Sequence, residues 1–123
     1  MTTLAPGIKN RPEAVKETIL VIKDLLVEAI QNRSTVMLTY KGDFGERTFH
    51  PYFVYISTTG KTLVSGWQLN NPSKPLDKEK YHKFDISLIQ KVIVTDKTFQ
   101  IKNGITLTIP ADCKALVRGL NRF

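Results

Sequence analysis

Residues 35–67, TVMLTYKGDFGERTFHPYFVYISTTGKTLVSGW, constrain the fold more than any other stretch of the chain. Their side-chain character changes every second residue, the period of a strand whose side chains leave alternate faces. Val36, Leu38 and Tyr40 face one way, and Met37, Thr39 and Lys41 the other. A second strand over 47–56 sets Phe49, Pro51, Phe53 and Tyr55 against His50, Tyr52, Val54 and Ile56. Pro51 has no N–H for a ladder and marks an edge, a bulge or a bend. A third strand covers 62–68. Short glycine-containing turns, KGDFGE and TTGK, join the three.

The flanks lead into this unit or close over it. Residues 1–11 read as a flexible lead. Pro12 suits the first turn of a helix, with Asn10 or Arg11 at its cap. From Glu13 to about Asn32 the spacing is helical, with Val15, Ile19, Ile22, Leu26, Ala29 and Ile30 on one stripe that Leu25 widens. Leu20 and Val27 lie off that stripe, as surface aliphatics or as a homodimer contact. Downstream come a polar loop over 69–79, strands over 81–86 and 88–95, and a hairpin over 99–109 on Asn103-Gly104. Pro110 ends the hairpin. Asp112 caps a short final helix with Cys113, Leu116, Val117 and Leu120 on one face, and Lys114, Arg118 and Arg122 form a basic one. The expected class is mostly β with flanking helices, a small β-barrel rather than a sandwich, because closure removes exposed edges.

At 123 residues the chain is one domain. Its 41% hydrophobic and 24% charged residues suit a folded core and argue against disorder. No apolar run is long enough to span a bilayer, and the first residues lack a signal-peptide pattern. With one cysteine, Cys113, no internal disulfide forms. A cytoplasmic location and no membrane partner are expected. The net charge of +7 points to a polyanionic partner, nucleic acid above all.

No catalytic constellation stands out. The two histidines, His50 and His82, have no metal-ligand spacing around them, Cys113 lacks a neighbouring histidine, and the glycines form no phosphate loop. The expectation is a non-enzymatic protein without metal or cofactor. Cations interleaved with aromatics, Arg47, Lys61, Lys80, His82 and Lys83 with Tyr40, Tyr52, Tyr55, Trp67 and Tyr81, suit single-stranded nucleic acid, since lysines neutralise phosphates and rings stack on bases.

The ordered set of residues over 24–98 resembles the WYL domain, a bacterial regulatory module. It opens on a helix ending in Ala29-Ile30, followed by VMLTY with Tyr40. Arg47 and Pro51 in RTFHPYFV, Leu63 in GKTLVSGW, and His82, Phe84 and Ile89 in HKFDISLI complete it. Lys61-Thr62-Leu63 stands where the family has its eponymous trio, and His82 and Leu88 stand where it has arginines. The resemblance implies an Sm-like small β-barrel; with its N-terminal helix the domain is expected to span 12–98, and residues 99–123, outside the resemblance, are expected to pack on it as hairpin and helix. It also implies a transcription-regulatory, ligand-sensing role in which basic side chains line a groove. The expected ligand-binding residues are Arg47, Tyr40, Lys61, Trp67, Tyr81, His82 and Lys83, and the expected ligand is anionic, single-stranded RNA or DNA. A homo-oligomeric assembly module using Leu20 and Val27, and an enzyme built on His82 and a carboxylate, are the alternatives.

Overall fold

The computed structural model describes residues 12–120, with side-chain environments from residue 18 onward. The expected lead over 1–11, the cap at Asn10 or Arg11, the packing of Val15 and the position of Arg122 lie outside the described residues. Helix α1 spans Pro12–Asn32. Its stripe of Ile22, Leu26, Ala29 and Ile30 is buried against the sheet. The helix stops where Arg33 turns left-handed, at φ 51°, and its N–H donates to the Ile30 carbonyl at 3.2 Å. Val27 is half-buried and packs against the core, while Leu20 and Val21 are exposed.

Six strands follow: β1 (Ser34–Tyr40), β2 (Arg47–Ser57), β3 (Thr62–Gln68), β4 (Lys80–Asp85), β5 (Ile89–Thr98) and β6 (Cys113–Gly119). A 3-10 turn, Ile86–Leu88, separates β4 from β5 and occupies part of both expected strands. All pairings are antiparallel. The order is β4-β3-β2-β1-β5, and β6 pairs with β2, in a sheet that does not close. No helix among the described residues is long and apolar enough to cross a membrane.

Strand β2 organises the sheet. One edge takes β3 along its whole length. The other takes β1 at Arg47, Thr48 and Phe49, then β6 from Phe53 to Ser57. The register against β3 shifts between Pro51 and Phe53, so Pro51 sits at a bulge, where its missing N–H is tolerated. An extra residue shifts the side-chain phase by one. The expected face of Phe49, Pro51, Phe53 and Tyr55 is therefore divided: Phe49 and Pro51 share a face with Val54, and Phe53 and Tyr55 point the opposite way. Gly66 lies across from Pro51, so close to the chain that a Cβ would run into the His50 carbonyl oxygen.

Two expectations about the C-terminal region are corrected. Residues 113–119 form strand β6, not a helix. A seven-residue helix is marginal in water, whereas pairing satisfies the edge of β2 that β1 leaves uncovered, and this outweighs the helix propensity of Lys114, Ala115 and Leu116. Residues 99–109 form a turn but no hairpin. Ile105 N–H reaches the Lys102 carbonyl at 3.1 Å, and Gly104 has φ +85° while Asn103 stays at negative φ. Positive φ at the second central residue alone is a type II pattern, whose twist splays flanking segments where type I′ would pair them.

A tyrosine-floored cavity beneath a crossing segment

Beyond the bulge, strands β2, β3 and β4 present two chemically distinct faces. Registers Phe53↔Ser65↔Lys83 and Tyr55↔Leu63↔Asp85 define one face, which Trp67 and Tyr81 also share. Val54↔Val64↔Phe84 defines the other, which His82 shares and which looks into the core.

Residues 99–112 cross the first face and are anchored at both ends. At the first anchor the Phe99 ring stacks on His50, 4.5 Å between centroids and 5° from parallel. Lys102 N–H donates to the Tyr52 hydroxyl at 3.1 Å, and its ammonium sits 2.6 Å from Glu79 and 5.6 Å from the Trp67 ring centroid. Trp67 Nε1–H donates to the same Glu79 carboxylate at 3.0 Å. At the second anchor Asp112 accepts from the Tyr55 hydroxyl at 3.0 Å through Oδ1 and from Lys83 Nζ at 3.1 Å through Oδ2. Its carbonyl accepts the Thr58 N–H at 2.9 Å.

Between the anchors the chain bridges a cavity of about 1060 Å³. Tyr52, Tyr55, Ser65 and Tyr81 contribute its floor; Ile105, Leu107, Ile109 and Pro110 contribute its roof. Tyr81 donates to Ser65 Oγ at 2.9 Å. Burial pushes the Tyr55 and Tyr81 phenols above the usual tyrosine range, and the hydrogen bond to Asp112 raises Tyr55 further. Both remain neutral hydrogen-bonding groups at physiological pH. The Lys83 hydrogen bond holds the Asp112 carboxyl below its ordinary range. A smaller hollow of about 380 Å³ shares Lys83 and Asp112 with the cavity and is lined also by Ser57, Thr58, Thr59, Lys61, Leu63 and Asp85.

The expected ligand residues therefore divide into groups. Tyr81, His82 and Lys83 line the cavity, Trp67 shares its face beside them, and Lys61 stands at the small hollow. Tyr40 and Arg47 gather on the core side, which the His82 ring also meets. Arg47 is buried, with Nε and Nη2 on the two Asp43 oxygens at 2.8 and 3.0 Å and Nη1 on Gln68 Oε1 at 2.8 Å. The guanidinium lies 5.2 Å from the Phe84 ring and 5.7 Å from that of Tyr40. His82 meets Phe84 edge-on at 4.6 Å, and burial, then Arg47 and Lys80, lower its pKa. Burial raises the Tyr40 pKa. These contacts make Arg47 a structural cation rather than one offered to a groove.

The main cavity residues outside that expected set are Tyr52, Tyr55, Ser65, Asp112 and the roof. The interleaved tyrosines were one signal; the alternation of Ile105, Leu107 and Ile109 with threonines was another, but it reads as a hairpin strand and not as a segment crossing the sheet. Among the described residues no cluster of three His, Cys, Asp or Glu could hold a metal ion. No family model, curated protein or solved structure matches the chain.

Proposed function

We propose that this chain is a non-enzymatic, ligand-sensing regulatory module of the WYL kind, built on an Sm-like small barrel. Its ligand lies in the cavity beneath residues 104–112. The curled order, in which β5 returns beside β1, and the preceding helix support the fold reading. The functional reading rests on the cavity itself: an aromatic, hydroxyl-bearing floor, an aliphatic roof and a polar hollow adjoining one end. Apolar walls with a few placed polar groups are the composition of small-ligand sites.

The ligand is a short single-stranded nucleic acid or one of its nucleotides. A base packs against Tyr81 and the aliphatic roof, and the phosphate faces Lys83, Lys61 and the Ser57 and Thr59 hydroxyls. Base–aromatic packing contributes about 1–3 kcal/mol per base. The chain's net charge of +7 favours the same partner.

The test is the affinity of short single-stranded RNA and DNA, measured by fluorescence anisotropy at low and high salt. Binding that weakens with salt and falls in Tyr81→Ala supports the reading. No binding at low salt, or full binding by Tyr81→Ala, refutes it.

A further inference from the structure

The β1–β2 turn and the loop between β3 and β4 carry a second surface. Among the described residues the two most exposed large apolar side chains are Phe44 and Leu76, each 97% exposed. Phe44 tops the turn between β1 and β2, and Leu76 tops the loop between β3 and β4. The two loops are laced together. Ser73 donates its hydroxyl to Asp43 Oδ1 at 3.1 Å. The Asn70 side chain accepts the Thr48 N–H at 2.7 Å and donates to the Glu46 carbonyl at 3.2 Å. Gly45 lies against the Pro72 ring. Backbone bonds from Lys74 to Asn71 and from Asp77 to Lys74 close the turns beneath Leu76.

The charges beside these tips are lopsided. Asp43 is engaged by Arg47, Asp77 by Lys80, and Glu79 by Lys102. Among the described residues Lys41, Lys74 and Lys78 are left without an ion pair, against the single carboxylate of Glu46.

We infer that these two loops dock on an anionic phospholipid surface, with Phe44 and Leu76 entering the interface and Lys41, Lys74 and Lys78 facing the headgroups. The two tips project singly, so the partner must supply a medium that closes around each one, as acyl chains do. Leu76 cannot stack on a base, which sets a nucleic-acid partner aside. Apolar side chains rimmed by lysines are the combination that binds anionic interfaces. The inference does not depend on what occupies the cavity.

Cosedimentation with phosphatidylserine/phosphatidylcholine vesicles and with phosphatidylcholine alone tests it. The wild type should bind the anionic vesicles, weaken in high salt and bind neutral vesicles far less. Phe44→Ser/Leu76→Ser should lose about tenfold or more of the partition. Both positions are almost wholly exposed, so the variant should keep the wild-type circular dichroism spectrum. No binding of the wild type, or equal binding by the double variant, overturns the inference. So does self-association of the wild type, absent in the variant, without vesicle binding.

Discussion

Arg47 and Asp43 form a two-pronged ion pair at 2.8 and 3.0 Å whose side chains are only 9% and 3% exposed. Asp43 comes from the turn and Arg47 from the first position of β2, so the pair fixes where the turn ends and the strand begins. Removing one partner strands the other charge in a poorly solvated place. Arg47→Ala should cost about 3–5 kcal/mol of stability, read from the denaturant midpoint. An Arg47→Met/Asp43→Leu double variant should be markedly less destabilised, since no lone charge remains.

The Arg47 hydrogen bond holds the Asp43 carboxyl below its ordinary range. A carboxylate with a depressed folded pKa contributes stability that is present above its unfolded pKa and lost as pH falls through the folded one. The acid limb of a stability–pH profile should therefore be shallower in Asp43→Asn than in the wild type.

His50 and His82 should produce a separate dependence at milder acidity. Burial is the leading cause that lowers both from the ordinary 6.5. The unfolded chain then takes up their protons first, so stability falls as pH drops below about 6.5 toward the folded pKa values. Proton NMR should give both midpoints below 6.5, and His50→Gln/His82→Gln should flatten that part of the profile.

Gly66→Ala should destabilise by about 1–3 kcal/mol or more, because its Cβ meets the His50 carbonyl and the Phe49 ring. The backbone oxygen cannot move without disturbing the Pro51 bulge. Urea unfolding reads the loss, and since Gly66 is not at positive φ it reports the crowding and not a backbone strain.

Asp112→Asn should lower the pH at which Tyr55 ionises, seen by ultraviolet difference absorbance during alkaline titration. The carboxylate accepts the phenol proton and opposes a second negative charge beside it. Unchanged titration would mean that Tyr55 and Asp112 are not paired in solution.

Local period made α1 and the first three strands legible, since their alternation is set by the faces they bury. It failed at Pro51, where the proline was visible but the phase change behind it was not; that change placed Phe53 and Tyr55 over the cavity. It failed again at 113–119, where Cys113, Leu116, Val117 and Leu120 fit a helical stripe while the deciding fact was a vacant edge on β2, some sixty residues earlier. Arg47 carries the same lesson. Its carboxylate partner stood four residues before it, but only the folded turn brings the two together. Lys83 and Asp112 meet across the sheet, and no spacing announces such a pair.

The sharing of β2 between β1 and β6 also bears on how the chain folds during synthesis. Residues 53–57 can pair with β3 as soon as the hairpin emerges, but their second edge stays open until residues 113–119 leave the ribosome. For that interval the nascent sheet exposes an unpaired strand edge containing Val54 and Ile56, the kind of edge on which chains stick to one another. Truncation before residue 113 should therefore favour aggregation over a smaller stable fold, and slow translation of this last stretch would prolong the exposure.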